Sequence, residues 1–331
     1  LDKDKRGDLK HIEDLLYVGA MGHPGGGRNN IPNRLKRHFF IFNMSLPSNA
    51  AINEIYGQML GGRFANCSVD MAHYVKHLPN SSVELWNWVR AKMLPSPTKF
   101  HYQFNLRDLS RMFQGILRTP RVSVPNAKKL LMLWRHECQR VFSDKLTTLD
   151  DKAMFNEQLN ECTKNLIDKP NENKPALSGK KKKAAAKAKA DPNEEKVVYD
   201  EIIKPAYFVD FMRDDEYDDD GALVQEAPKV YELGPCLADL RIRVDSFLQQ
   251  YNETNPSKQM NLVLFDDAMR HVMRVSRVIS MPKGSLLFVG VGGSGKQSIT
   301  KLASFCANYQ LFQITISKTY NMNSLLDDLR V

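Results

Sequence analysis

Long apolar runs are missing from this sequence. Nowhere do eighteen uncharged apolar residues follow one another, so no membrane-spanning helix is expected. The first residues, LDKDKRGDLKHIEDLL, carry neither an initiator methionine nor the apolar centre of a secretory signal, and they open in mid-pattern, as a piece of a longer chain would. Cysteine is sparse. Cys67, Cys138, Cys162, Cys236 and Cys306 are scattered without the paired spacing of a zinc site. An odd, thin set of this kind fits reduced intracellular thiols and argues against a disulfide framework. Aromatic residues are absent between Phe155 and Tyr199, where positive charge is densest.

That last absence bears on the net charge of +9. Residues 169–189 carry a local net of +7, and residues 191–220 a local net of −9. A run such as KKKKAAAKAKA followed by acid is low-complexity sequence that cannot bury a core, and it reads as a solvated insert. Nucleic acid would need a stacking platform, and the lysine run has none. A basic binder would be retained on polyanions only while residues 178–190 are present. No nucleic-acid or membrane partner is expected.

What is present suffices for two cores: the chain has 331 residues and 42% apolar content. Residues 1–43 read as the end of an α/β unit, with DLLYVGAM and FFIFNM as apolar strands around the loop PGGGRNNIP and the short basic helix NRLKRHF. HPGGGRNN can be an anion-binding nest or a surface turn. From 44 to 168 the signals are helical: LPSNAAINEIYGQML, SVELWNWVRAKML, NLRDLSRMFQGIL and AKKLLMLWRHECQRVF. In the third, Asn105 caps a helix whose apolar face is Leu106, Leu109, Phe113 and Ile116. In the fourth, Leu130, Leu133, Trp134, Cys138, Val141 and Phe142 form one stripe at helical spacing, which is core rather than chemistry. After the insert at 169–196, residues 197–331 begin a new α/β unit. It comprises KPAYFVDFMRD, the helix LADLRIRVDSFLQQYNE, NLVLFDDAMRHVMRVSRVI, the strand GSLLFVG, a glycine loop, the helix KQSITKLASFCANYQ, the strand LFQITIS and the helix MNSLLDDLR.

The glycine loop carries the chemistry. Gly290, Val291, Gly292, Gly293, Ser294, Gly295 and Lys296 satisfy the G-x-x-x-x-G-K part of a phosphate-binding loop. Glycines let the backbone curl so that successive amides face phosphate. The following helix adds its positive end, and Lys296 reaches the β- and γ-phosphates. An apolar segment before and an amphipathic helix after complete the expected context. The pattern departs at Gln297, where a serine or threonine would ligate Mg²⁺. Ser298 is the nearest hydroxyl, about 100° further round the helix. ATP or ADP binding is therefore expected more firmly than hydrolysis. Leu262 and Val263, in NLVLFDDAMRHV, fit either an adenine pocket or a core segment. Arg34 and Arg37 fit either a reach toward a γ-phosphate or a solvated basic helix. Arg107, in the first turn of its helix, opposes the helix dipole. A phosphate nearby or the adjacent Asp108 would compensate it.

Three long stretches resemble the motor region of a dynein heavy chain: AMGHPGGGRNNIPNRLKRHFFIFNMSLPSN, KMLPSPTKFHYQFNLRDLSRMFQGIL and LVLFDDAMRHVMRVSRVISMPKGSLLFVGVGGSGKQSITKLASF. HPGGGRNNIPNRLKRHF with GVGGSGKQS looks most like the axonemal, outer-arm type. The resemblance implies P-loop AAA+ modules, with partial α/β large subdomains flanking an α-helical lid. Residues 1–43 would be the late part of the third module, 44–168 its lid, and 197–331 the early part of the fourth. It implies that Gly290 to Ser298 are the fourth module's phosphate loop, with Ser298 toward the metal. It also implies that Arg107 is the lid arginine of the third site. Arg34 or, preferably, Arg37 would act in trans on the second site. The polar residue expected beside the third nucleotide falls on Gly22 or His23, which puts water activation there in doubt. The acidic strands of the third and fourth modules would lie before Leu1 and beyond Val331. The implied function is a minus-end-directed microtubule motor ATPase of the cytoplasm and ciliary axoneme, with Mg²⁺ and ATP or ADP as cofactors. Its partners would be the other modules of the same heavy chain, microtubules through a stalk outside this segment, and intermediate and light chains. The alternatives are another AAA+ ring ATPase, such as a remodelling chaperone, or a structural module that holds nucleotide without turnover.

Overall fold

The structure, a computed structural model, describes residues 13–22, 30–169, 197–214, 216–218, 223–225, 227–314 and 319–330. It divides into two compact units, residues 1–47 and 48–331. In the first, a single helical turn, α1 (Asn33–Lys36), follows Pro32. The segments either side form no strand among the described residues, and Leu16, Val18 and Phe40 are almost fully exposed. Neither DLLYVGAM nor FFIFNM, both expected as apolar strands, pairs with another segment among the described residues, and the burial expected of the first is not found. An extended apolar segment becomes a strand only where a neighbour takes up its N–H and C=O groups, and no described segment of this unit does so. Residues 23–29, which include His23 and most of the proposed nest, lie outside the described residues.

The second unit opens with the helical bundle. Side-chain oxygens set its helix starts by accepting otherwise orphaned amides. Ser48 caps α2 (Asn49–Arg63) and Ser68 caps α3 (Val69–Lys92). Asn105 and Asp108 form a reciprocal capping box on α4 (Leu106–Arg118). Asn126 caps α5 (Ala127–Val141) and Thr148 caps α6 (Leu149–Asp168). SVELWNWVRAKML proves to be the second half of the longer α3, which continues through Pro79. Just past that proline, Ser82 Oγ donates to the Leu78 carbonyl at 2.7 Å and accepts the Trp134 indole N–H at 2.9 Å. The expected stripe of α5 is buried throughout, as are Leu109, Phe113 and Ile116 of α4, while Leu106 is half-buried. The sequence reading missed α6. Its buried Phe155, Leu159, Cys162 and Leu166 recur at helical spacing, and Asp150 and Asp151 favour its N-terminal end.

The chain after residue 197 adds α7 (Tyr199–Ile202), β1 (Phe208–Val209), β2 (Glu216–Tyr217), β3 (Leu223–Gln225), β4 (Glu232–Leu233), α8 (Leu237–Thr254), α9 (Asp266–Ile279), α10 (Lys296–Cys306) and α11 (Met322–Asp328). β1 pairs antiparallel with β4, Phe208 opposite Leu233, and β2 pairs antiparallel with β3. Successive side chains of a strand point to opposite faces. Phe208 accordingly joins the core of the bundle, and Val209 joins a second core built on Leu240, Val244, Met269, Val272, Leu302 and Ala303. The expected strand GSLLFVG is unpaired, with Leu287 82% and Val289 64% exposed. The described part of LFQITIS, residues 311–314, is likewise unpaired, and residues 315–317 lie outside the described residues. The cause is the same: among the described residues, no strand lies beside either segment.

Where the two cores meet, the contacts are polar. Arg277 of α9 forms a two-pronged ion pair with Glu137 of α5, both buried, and the Tyr231 hydroxyl donates to Glu137 Oε1 at 2.8 Å. Gly115 of α4 lies against this pair, and a Cβ there would come within 1.8 Å of Glu137 Oε2. Beside it Arg118 reaches Asp210 at 2.5 Å, and Asp210 also accepts the Ser276 hydroxyl at 3.3 Å. Arg274 pairs with Asp144 at 3.1 Å.

His136, adjacent to Glu137, is buried with Nδ1 2.9 Å from the Ala206 carbonyl, and its Nε2 has no hydrogen-bond partner among the described residues. Burial first, and then the nearby Arg140 and Arg277 guanidiniums, hold its pKa well below the ordinary histidine value, although the Ala206 carbonyl opposes this. The unfolded chain therefore takes up a proton that the folded chain refuses once pH falls below about 6.5. The stabilisation is fully present above that pH and shrinks below it. Between pH 7.5 and 5.5 the natural chain should lose more stability than a His136→Asn variant, by at most about 1.4 kcal/mol, measured by urea unfolding at both pH values.

Candidate nucleotide-binding site

The site starts from local backbone chemistry. Gly293 and Gly295 both have φ +76°, a left-handed conformation that side-chain-bearing residues adopt only at a cost. These two turns bring the chain from the 284–291 segment into α10, with Gly295 at the helix N-cap. The amides of Gly292, Gly293 and Gly295 make no backbone hydrogen bond among the described residues. They are therefore free to donate at the positive end of an eleven-residue helix. The sheltered face of α10 holds the loop in place: Leu302, Ala303 and Cys306 are buried in the second core, and α9 packs alongside.

Lys296 points back over the loop. Its ammonium donates to the Gly290 carbonyl at 3.0 Å, to Ser294 Oγ at 3.1 Å and to the Val291 carbonyl. Ser294 Oγ in turn donates to the Val291 carbonyl at 3.0 Å. An ammonium has three N–H donors, and here all three turn inward on the loop. The arrangement fits a polyphosphate: a cation stands over a ring of unspent amides, and its present acceptors are neutral oxygens that an anionic one would outcompete.

The metal position fits less closely. Gln297 follows the lysine and is exposed. Ser298 is half-buried one residue further on, and the Thr300 hydroxyl is committed to the Lys296 carbonyl at 2.8 Å. Among the described residues, no cluster of histidine, cysteine and acid could hold a metal ion. Upstream, Leu262 packs against the second core, whereas Val263 is 83% exposed.

The arginines are differently placed. Arg34 and Arg37 are both exposed in the first unit, with Arg37 Nε donating to the neighbouring His38 ring at 3.2 Å. Arg107 is exposed, and its guanidinium makes no hydrogen bond or ion pair among the described residues. Asp108 provides the compensation at this helix end. It is buried, accepts the Asn105 amide at 3.0 Å and pairs with Lys145 at 2.6 Å. The residues that sequence reasoning missed are those of the seam: Gly115, Arg118, Glu137, Asp210, Tyr231 and Arg277. A glycine inside an otherwise strong helix and an acid inside a buried stripe were the available signals.

Known proteins match the chain across nearly its whole length. It is 42% identical over 99% of its residues to mouse (Mus musculus) dynein axonemal heavy chain 8. It is 38% identical over 98% to the dynein gamma chain of the flagellar outer arm of Chlamydomonas reinhardtii. The chain belongs to the dynein heavy-chain family. It spans 6% of the mouse relative and 7% of the algal one. A model described as "P-loop containing dynein motor region" matches residues 2–47, an "AAA+ lid domain" model residues 78–174, and a "P-loop containing dynein motor region D4" model residues 260–331. In chain order these matches are a dynein P-loop region, an AAA+ lid and a second dynein P-loop region. The last match contains Gly290 to Ser298, so nucleotide binding is implied for this part of the dynein chain. Among the described residues no helix is long and apolar enough to cross a membrane.

The two left-handed glycines give the loop its shape. Gly293→Ala and Gly295→Ala should each lower the local stability of the loop and first turn of α10 by about 1 kcal/mol. Gly292→Ala, whose Cβ would meet open space at an ordinary φ, should leave it unchanged. Hydrogen exchange at the amides of residues 293–299 would separate the three.

Proposed function

We propose that this chain is a nucleotide-responsive section of a ciliary, outer-arm dynein motor. It would run from the late large subdomain of the third AAA+ module (1–43), through that module's lid (44–168) and a lysine-rich insert (169–196), into the fourth module (197–331). In this reading residues 14–21, 39–44, 284–290 and 311–314 lie in strands of α/β sheets whose remaining strands come from elsewhere in the heavy chain. Their exposed apolar side chains support it: Phe40, Leu287 and Val289 stand in water with no partner strand among the described residues.

The observation that carries the proposal is the loop Gly290–Ser298, with Lys296 held over unbonded amides at the start of α10. The amides and Lys296 hold the phosphates of ATP or ADP, and Leu262 and Val263 approach the base. Mg²⁺, when bound, would neutralise phosphate charge, with Ser298 the hydroxyl nearest to it. Because Gln297 occupies the place of the usual metal-ligating hydroxyl, this site holds nucleotide more readily than it turns it over. Arg107 serves the third module's own nucleotide from the lid, while Arg37, or Arg34 beside it, serves the second site in trans. The full heavy chain, with its intermediate and light chains, would move toward microtubule minus ends in the axoneme, and nucleotide at the third and fourth sites would regulate that movement.

The alternative, a module that holds nucleotide purely as structure, is favoured by the same Gln297. Lys296→Ala in the full heavy chain separates the two. Nucleotide affinity at this loop should fall roughly ten- to 150-fold, the effect of losing hydrogen bonds to a charged group of about 1.5–3 kcal/mol. Gliding speed should fall with it. Lost occupancy with unaltered turnover and gliding would assign the loop a structural role.

A further inference from the structure

Resting on the nucleotide reading above, we infer that Gly115, Glu137 and Arg277 form a positioning joint through which the lid helix α4 sets the phosphate loop that ends in Lys296. α4 is one uninterrupted helix of thirteen residues, about 18 Å long. Arg107 projects from its first turn, where the Asn105–Asp108 capping box and the Asp108–Lys145 pair fix that end. Gly115 and Arg118 lie in its last turns.

At that far end there is no slack. Gly115 leaves only enough room for the Glu137 carboxylate. That carboxylate receives both Arg277 Nε, at 3.2 Å, and the terminal guanidinium nitrogen, so distance and orientation are fixed together. Tyr231 donates to the same carboxylate at 2.8 Å, and its ring carries the Arg118 guanidinium 4.9 Å from the ring centroid. Arg118 reaches both Asp210 and the Arg277 carbonyl, the latter at 3.4 Å. Arg277 is the third residue from the end of α9, and the chain runs on through residues 280–289 directly into Gly290. α9 also packs along α10, which carries Lys296. A close-packed, two-pronged joint does not stretch in small steps: it holds or it shifts as a whole. A shift of α4 driven from Arg107 is therefore delivered to the residues that enter and flank the phosphate loop.

The test is a double-mutant cycle in the full heavy chain. The joint is removed by the paired change Glu137→Leu with Arg277→Leu, because replacing a buried ion pair by apolar side chains is often tolerated where breaking it is not. The readout is the affinity of the Lys296 loop for a fluorescent N-methylanthraniloyl-ATP, taken as the signal lost on Lys296→Ala. In the natural background Arg107→Ala should change that affinity at least threefold. In the leucine-pair background the same change should have less than a 1.5-fold effect, which a merely structural role for the pair would not produce. An equal effect of Arg107→Ala in both backgrounds, or none in the natural one, overturns the joint. Absence of any signal lost on Lys296→Ala would instead overturn the nucleotide reading. If the leucine pair fails to assemble, hydrogen exchange over residues 274–290 is compared between the natural chain and Arg107→Ala. Altered protection in that span supports the joint, and unaltered protection overturns it.

Discussion

A guanidinium removed from water needs a carboxylate in the right place, and in this chain the meeting of Arg277 with Glu137 dictates what surrounds it. Taking either charge out of water costs several kcal/mol, which is offset only when geometry is good and the leftover hydrogen-bonding capacity is filled. Burial works against the charge on Arg277, and the adjacent Glu137 carboxylate more than offsets it, so the arginine stays protonated far above any physiological pH. Gly115 lacks a side chain because the carboxylate occupies that volume. Tyr231 supplies the remaining donor, and burial beside that carboxylate pushes its own phenol well above the ordinary value. The seam between the two cores is thus specified by charge and shape together. An apolar seam could slide by a residue or a helical turn at little cost, whereas a two-pronged pair can be satisfied in one register only.

The contrast with the phosphate loop is physical. The seam is closed, and Glu137 is fully buried. The loop is open: Val291 is 78% exposed, and its shape is held by two glycine conformations and one lysine. Elements that bind and release ligand are drawn from the less stable end of a structure. What keeps the open loop aligned is the helix on which it ends. α10 buries its apolar face against α9, and α9 is pinned by Arg277 at its far end. The order from closed to open therefore runs from the buried α5 through α9 and α10 to the exposed loop.

The helices could be read from the sequence because each is a local event. Asn105 with Asp108, or Leu130 through Phe142, states its own period and its own cap within a few residues. The phosphate loop was legible for the same reason: Gly293 and Gly295 are needed where the backbone turns left-handed, and Lys296 follows at once. The expected strands stay unpaired among the described residues because a strand is a relation between segments. LLFVG is apolar whether or not a neighbour is present, and the sequence of one segment does not contain its partner. The seam was hidden for a related reason: Glu137 and Arg277 are 140 positions apart and announce themselves only as an acid in an apolar stripe and an arginine in an amphipathic helix. α6 was locally legible, at Phe155, Leu159, Cys162 and Leu166, and was overlooked beside the charge run that follows it.

The self-engaged state of Lys296 bears on how the loop could meet nucleotide. An ammonium left to water in an open loop would be strongly hydrated and free to swing. Here three loop oxygens already accept from the ammonium, and the side chain is already folded back over the loop where phosphate would lie. Exchange of neutral carbonyl acceptors for anionic oxygens then strengthens each bond without requiring the stem to be ordered afresh. The entropy of holding the lysine is spent on forming the loop, so it is not charged again on binding. The same logic does not extend to the metal side. Gln297 presents an amide to solvent where a hydroxyl would need to be fixed, and Ser298 is turned a step away around the helix. Preorganisation of this kind would favour retention of a polyphosphate over its cleavage.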